Sequence, residues 1–321
     1  MASRTKNILI FGATGLIGTH ITKAIVQSKA HFGRIAVFTS QNTIETKSQA
    51  IEALKAAGVE IIAGDITSAN DLNNAFAGID TIVSCVGRPV IHTQLLIIDL
   101  ASRHPDIKRI FPSEYGTDIE YDSTSVNEKP HQQKIKVRAA LQAVKDLEYT
   151  CVVTGPYGDA DKGLYLAAQP PKNEARGSYD VKRKRAVVIG DGNGKISLTT
   201  MRDVGKLVVA ALKQPEDTRN RALKVNSFTS TPNEIAAEFQ RQTGGQRWEV
   251  SSTSLAELKR LEERAWSEED PSAGGVTLRR IWAEGRTLYD NRDNGVIGME
   301  SDIDSLESAV RQAIEVQTGS S

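Results

Sequence analysis

A short apolar strand that runs into Gly12-Ala-Thr-Gly15-Leu-Ile-Gly18, and from there into a helical repeat, leaves this chain few ways to begin folding. Ile8-Leu9-Ile10-Phe11 is apolar at every position, as a strand covered on both faces must be. From Leu16 to Ser28 the spacing of Ile17, Ile21 and Ile25 marks an amphipathic helix. Between the two, Gly12 permits a sharp turn, Gly15 lets the main chain approach a pyrophosphate, and Gly18 lets the helix press against the strand. The first turn of a helix also offers unpaired N–H groups to anionic oxygens. A tight turn that merely needs glycine would account for the same three residues, but not for their place between strand and helix. The loop therefore points to a bound dinucleotide, with Gly12, Thr14, Gly15, Leu16, Ile17 and Gly18 around it.

The alternation continues. Strand-like runs at Ile35–Phe38, Val59–Ile62, Thr81–Val86, Arg109–Phe111 and Thr150–Thr154 are separated by helix-period segments around 47–57, 71–77, 94–102 and 134–145. Strands joined by helices form a parallel sheet with right-handed crossovers. The expected fold is α/β, a Rossmann-type doubly wound parallel sheet. After Thr154 the pattern loosens into the turn-rich Gln169–Asn173 and Gly190–Gly194. Further strands are expected at Ala186–Ile189 and Ala222–Val225, and helices over 233–242 (capped by Thr231 or Ser230), 254–265 and 302–316. A length of 321 residues, at roughly 150 per domain, suits two units. These are a nucleotide-binding domain over 1–155 and a smaller, partly interleaved α/β substrate portion over 156–321, with some strands near 186–226 returning to the first sheet.

Forty basic and forty acidic residues cancel, so no overall field gathers nucleic acid or acidic membrane. The longest apolar runs are strand-sized, well short of the roughly 20 residues of a membrane helix. Met1–Asn7 lacks the apolar helix and cleavage site of a secretory signal, and Cys85 and Cys151 are too few for a disulfide framework. A cytoplasmic protein, either a monomer or a loose homodimer, is expected. The five histidines (His20, His31, His92, His104, His131) show no His-x-x-x-His spacing, and no metal site is expected.

The choice between NAD and NADP is made at the end of the second strand. A carboxylate there would bond a ribose 2′-hydroxyl and repel a 2′-phosphate. Phe38-Thr39-Ser40-Gln41-Asn42 has none, and Lys47 opens the next helix. Thr39, Ser40 and Lys47 suit a phosphate, although Lys47 is equally at home as a solvated helix residue.

Four further segments occur in order: Ile82-Val-Ser-Cys-Val-Gly87, Arg109-Ile-Phe-Pro-Ser-Glu-Tyr-Gly116, Lys134-Ile-Lys-Val-Arg138 and Ile189-Gly-Asp-Gly-Asn-Gly-Lys195. On these segments the chain, from about Lys6 to about Gly245, resembles the isoflavone-reductase-like proteins. These include phenylcoumaran benzylic ether reductases and belong to the broader NmrA-like, atypical short-chain dehydrogenase group. The resemblance implies an NADP(H)-dependent reductase. It makes Lys134 the catalytic lysine and sets Ser113, Glu114 and Tyr115 where the fifth strand passes the nicotinamide. It also implies that Val86 and Gly87 lie beside the adenine-side ribose and pyrophosphate, and Thr154, Gly155, Pro156 and Tyr157 near the nicotinamide. The chain departs from the family at Thr39, where Arg is usual, and at Thr154-Gly155, where Ser-Asn is usual.

A lysine suits such a place. Its ammonium donates a proton to developing negative charge, its neutral form takes one, and burial moves its pKa toward working pH. The ordinary short-chain dehydrogenase tyrosine, four residues earlier, is absent because position 130 is Pro. Lys136 points elsewhere on the helix and serves as a control. His131 is a candidate proton relay if its loop folds inward, and His92 either lines the cofactor cleft or caps a helix. Tyr157, Tyr165 and Tyr179 suit a pocket floor or a core equally. Lys182–Arg185 reads as the wet edge of a strand.

Three functions fit these residues. The first is an NADPH-dependent reductase of a small aromatic or conjugated metabolite, with hydride passing to a carbonyl, imine, enone or quinone-methide carbon. The second is an NADP(H)-sensing regulator without chemistry, and the third a cofactor-dependent rearrangement or cyclisation with no net redox. Each expects NADP rather than NAD. Dissociation constants measured side by side should favour NADPH over NADH, and a preference for NADH would overturn the reading of Thr39, Ser40 and Lys47.

Overall fold

The computed structural model describes residues 5–319, so the first four residues of the N-terminal run considered above lie outside the described region. The first half of the chain forms β1 (Ile8–Phe11), α1 (Leu16–Gln27), β2 (Ile35–Thr39), α2 (Gln41–Thr46), α3 (Ser48–Ala56) and β3 (Glu60–Ala63). Then come α4 (Ala69–Phe76), β4 (Thr81–Ser84), α5 (Gln94–Ala101), β5 (Arg109–Phe111), α6 (Gln132–Ala143) and β6 (Glu148–Val153). The second half contains β7 (Ser178–Asp180), β8 (Arg185–Ile189), β9 (Ile196–Leu198), α7 (Met201–Lys213), α8 (Pro215–Thr218) and β10 (Arg221–Lys224). The chain closes with β11 (Phe228–Ser230), α9 (Pro232–Gln242), β12 (Glu249–Thr253), α10 (Leu255–Ser267), α11 (Ala273–Ala283) and α12 (Leu306–Thr318).

Seven of these strands form one parallel sheet in the order β10-β6-β5-β4-β1-β2-β3. The Rossmann-type α/β class read from the sequence is the class observed. The reason shows in β1, where alternate side chains serve opposite layers. Ile8 and Ile10 pack with Ile21 and Ile25 of α1 and Val204, Leu207 and Val208 of α7. Leu9 and Phe11 pack with Leu72 and Phe76 of α4, Ile97 of α5 and Leu141 of α6. A strand that feeds two cores has no polar position to spare. The strand order reverses about β1, which joins β2 on one side and β4 on the other, and ligand crevices of such sheets lie at that switch.

β10 pairs in parallel with β6 after a long excursion of the chain. That excursion, together with the chain after β10, builds a three-stranded sheet, β12-β8-β7, and an antiparallel β11-β9 pair. Helices α9 and α12 pack onto it through Ile235, Phe239, Val310 and Ala313. Helix α7 has no counterpart among the elements expected from the sequence, although Val204, Leu207, Val208, Ala211 and Leu212 repeat at helical spacing along it. The helix expected around 47–57 is α3, which Lys47 precedes; the short α2 ahead of it, starting at Gln41 under a cap from Ser40 whose Oγ accepts from Thr43 N at 3.2 Å, was not expected. Two expectations need correction. The last helix starts at Leu306 rather than 302, because Asp302 has φ 62° and Ser305 supplies the cap. The basic run Lys182–Arg185 borders a turn, and β8 behind it is a central strand. Its arginines pair with Glu174 (2.7 Å from Arg183) and Glu249 (2.8 Å from Arg185). Among the described residues no helix is long and apolar enough to cross a membrane.

The glycine loop depends on two clearances. Gly12 has φ +72°, and a Cβ there would lie 2.5 Å from the Cys85 carbonyl oxygen of β4's extension. A Cβ on Gly18 would lie 2.0 Å from the Gly12 carbonyl oxygen, so the helix sits against the loop with no room for a methyl group. Gly18→Ala should therefore cost about 1–3 kcal/mol, the range for overpacking, read from urea unfolding. A loss below about 0.5 kcal/mol would mean the contact is slack.

Candidate active site

Two cavities open at the carboxyl ends of the parallel strands and share Val86 and Gly87. One, about 790 Å³, lies between Gly12, Phe38, Thr39, Ser40, Gly64 and Asp65. The other, about 410 Å³, runs from Leu16 and Ile17 past Lys134, Tyr157 and Tyr165 to Trp282. A long, bent molecule passing from the first to the second crosses the glycine loop.

The loop is shaped for an anion. Helix α1 opens on Gly15 with no side-chain cap, whereas α4, α7, α9, α10 and α12 are each capped by a Ser or Thr hydroxyl. The first amides of α1 are thus left for an external acceptor. A Cβ on Gly15 would sit 3.2 Å from the Gly12 carbonyl oxygen, so this position stays bare. The Lys47 ammonium donates to Thr14 O at 2.7 Å, which brings a positive charge to the side of the loop facing α2. These features fit the diphosphate of a dinucleotide.

The second cavity holds a lysine amine. Lys134, in the first turn of α6, is half-buried, and its Nζ donates to the Glu114 carbonyl at 2.8 Å. Burial pulls its pKa down to about 8; the Glu114 carboxylate opposes this, and Arg88 and Arg138 reinforce it. Lys136, two positions on, is exposed. Around the amine, Ser113 Oγ donates to Val86 O at 2.9 Å and Tyr157 Oη to Tyr115 O at 2.6 Å, so the hydroxyls tie the strand ends together. An amine that releases its proton near neutral pH, inside a cavity, is a competent general acid or base.

Arg138 fixes this arrangement from beneath. It is buried, and its Nε and Nη2 meet both oxygens of the Glu114 carboxylate at 3.2 and 2.9 Å, while Nη1 meets Glu120 at 2.6 Å. Burial, the largest single influence, would lower the guanidinium pKa, but the Glu114 charge together with the hydrogen bonds to Glu114 and Glu120 outweighs it and the net shift is upward.

The expected residues fall into groups. Leu16, Ile17, Ser113, Tyr115, Lys134 and Tyr157 line the second cavity, as do Gly155 and Pro156. Gly12, Thr39 and Ser40 line the first. Thr14, Gly15, Gly18 and Lys47 border the loop without lining either cavity. Glu114 and Thr154 also do not line them. The Glu114 carboxylate goes to Arg138, and Thr154 is buried with its carbonyl accepting from Thr199 Oγ1 at 2.6 Å. His131 is buried, with Nδ1 3.0 Å from Ser125 Oγ, and it does not line the cavity. Burial, with Lys134 and Arg88 adding to it, draws its pKa down to about 4. His92 is exposed. Tyr165 faces the cavity along with Tyr157, whereas Tyr179 stacks on Phe239 with centroids 5.4 Å apart. The sequence did not mark Arg88, beside Gly87, nor Gln169, Arg176, Val276, Arg279 and Trp282, which form the far wall. For Val276, Arg279 and Trp282 the local signal is the amphipathic run of α11, which nothing in the sequence ties to the glycine loop.

Residues 4–260 match the model of the NmrA-like family. The chain is 30% identical to a phenylcoumaran benzylic ether reductase of Pinus taeda, over 75% of this chain and 76% of that one. It is 29% identical to one from Ginkgo biloba, over 91% and 92% of the two chains. It is also 29% identical to an isoflavone reductase of Pisum sativum, over 76% and 77%. Among solved structures, the leucoanthocyanidin reductase–NADPH complex of Vitis vinifera superposes with TM-score 0.77 at 19% identity, covering 96% of this chain and 99% of that one. A crystal structure of isoflavone reductase also gives 0.77, at 22% identity over 97% and 99% of the chains, and shares the fold.

Breaking the pair under the cavity should be costly. Arg138→Met leaves a buried carboxylate without its counter-charge and should lose about 3–5 kcal/mol in urea unfolding. Adding Glu114→Leu should recover much of that loss; a single variant within about 1 kcal/mol of the parent would show the pair to be dispensable.

Proposed function

The chain belongs to the NmrA-like family, and on that footing we propose that it is an NADPH-dependent reductase of a small conjugated or aromatic metabolite, with Lys134 as general acid. The observation that carries this reading is the Lys134 amine in a cavity continuous with the glycine loop, its pKa drawn to about 8. Relatives named as reductases over three quarters or more of the chain support it. Bound across the two cavities, NADPH supplies a hydride to an electrophilic carbon of a carbonyl, imine, enone or quinone methide.

The chain's own residues do the rest. The free amides at the start of α1 hold the diphosphate. Thr39 and Ser40, with Lys47 beside Thr14, meet the phosphorylated ribose. Val86 and Gly87, shared by the two cavities, lie beside the adenine-side ribose and pyrophosphate; Gly155 and Pro156 frame the reactive end without charge, and Tyr115 and Tyr157 narrow the space beside it. The Lys134 ammonium, held by the Glu114 carbonyl, gives a proton to the heteroatom or carbon that gains charge. A pure sensor has no use for an amine tuned in this way. Two buried free cysteines suit a reducing compartment such as the cytoplasm.

The sign of the pH dependence follows from the amine. Below pH 8 the ammonium predominates and the reduction rate is flat; above it the proton is lost and the rate falls about tenfold per pH unit, the reverse oxidation showing the opposite limb. Lys134→Ala should lower turnover of aromatic enones or imines about 10²–10⁴-fold and abolish that limb, with NADPH affinity little changed. Lys136→Ala should behave like the parent. Full turnover by Lys134→Ala with the same pH profile would remove the lysine from the mechanism.

A further inference from the structure

Three arginines are buried among the described residues: Arg109, Arg138 and Arg279. Arg109 lies 3.1 Å from the Glu148 carboxylate, and Arg138 has Glu114 and Glu120. Arg279 has no carboxylate within ion-pair distance among the described residues, though it is only 8% exposed. Its neighbour on α11, Arg280, shows how readily this region supplies acids, since Arg280 meets Glu128, Glu262 and Glu284 at 2.6, 2.5 and 2.9 Å. The Arg279 guanidinium is held from two sides. Nη2 donates to Leu164 O at 2.9 Å, and the head group lies over the Tyr165 ring at 5.4 Å. Neither contact neutralises its charge.

Arg279 lines the Lys134 cavity, and that cavity is one-sided electrically. Lys134, Arg88, Arg176 and Arg279 all line it, and no Asp or Glu does, in a chain whose charges cancel overall. Arg176 is partly satisfied by Asp270 at 3.0 Å, and Arg88 is exposed at the mouth. A guanidinium buried without a counter-ion is unfavourable unless a ligand brings one, and its planar fork matches a carboxylate bidentately. The rest of the far wall is apolar or aromatic, with Val276, Leu278, Tyr165 and Trp282.

The geometry points to a substrate that carries a carboxylate: a flat, conjugated acid whose anionic end is taken by Arg279 while its reducible carbon lies toward Lys134. This deepens the reductase reading and rests on it. Arg279 then decides specificity, excluding neutral molecules of the same shape, because only an acid cancels the buried charge.

The test uses cinnamate, 2-naphthoate and biphenyl-4-carboxylate, each beside its methyl ester, titrated calorimetrically into NADP⁺-saturated protein at pH 7. At least one acid should bind ten-fold or more tightly than its ester. Arg279→Gln should bring that ratio below about three with the NADP⁺ dissociation constant unchanged, and Arg279→Lys should retain part of it. If no acid outbinds its ester, whether because the ester matches it or because neither binds, the inference fails. It fails too if Arg279→Gln keeps the full ratio, or if Arg88→Gln removes it instead. Should the Arg279 variants not fold, the parent ratio decides. NADP⁺ affinity is read in the same titrations, so a protein that never binds NADP⁺ refutes the reductase reading itself, whereas one that binds NADP⁺ without preferring acids refutes only this inference.

Discussion

Glu114 is gripped at both ends, and the site depends on that grip. Its carboxylate is buried in a two-pronged pair with Arg138, and its carbonyl oxygen accepts from Lys134. Lys134 and Arg138 stand four residues apart, on one face of α6, so both reach the same residue just beyond β5. The ion pair fixes the helix against the strand end. With that fixed, the amine four residues earlier has one place to be, inside the cavity and short of water. Burial then lowers its pKa toward the working range, which an exposed lysine such as Lys136 never experiences.

The same economy governs the nucleotide side. Gly12, Gly15 and Gly18 remove the side chains that would stand between α1, the loop and β4. The absence of a hydroxyl cap on α1 leaves its amides to an outside acceptor. Six other helices of this chain start on Ser or Thr caps, whereas α1 starts on a bare glycine at the loop between the two cavities. The far wall of the second cavity is built differently, from α11 and the segment around 163–176, which bring aromatic side chains and arginines to it. The glycine loop and Lys134 thus belong to the parallel sheet and the helices that follow its strands, and the far wall of the second cavity belongs to the later, less regular half.

Legibility followed these physical differences. β1 reads directly because both faces are buried and every side chain is apolar. Helix α1 reads because its apolar stripe meets only one core. Lys134 was found through the family motif that contains Arg138, and that motif works because helix spacing puts both side chains on Glu114. Other features stayed hidden. Glu114 was expected beside the nicotinamide, but burial with a counter-charge draws its carboxylate away from the cavity. Lys47 was placed at a helix start and does precede α3, but the short α2 that Ser40 caps was not read. The Lys182–Arg185 run looked like an exposed edge, yet β8 is flanked on both sides because β12 arrives from sixty residues on.

Local periodicity and the glycine spacing alone determined that this chain builds a doubly wound parallel sheet with a dinucleotide loop at its switch point, because those features are enforced between near neighbours in the chain. What faces the Lys134 amine was decided only by the tertiary structure. Arg279 and Trp282 lie more than 140 residues along the chain from Lys134 and come to the cavity through the packing of α11 on α10 and of both over the sheet. Whether a buried arginine has a carboxylate partner depends on which distant segments fold beside it. Arg279 and Arg280 are adjacent in sequence, and only the folded chain separates the one with three acids from the one with none.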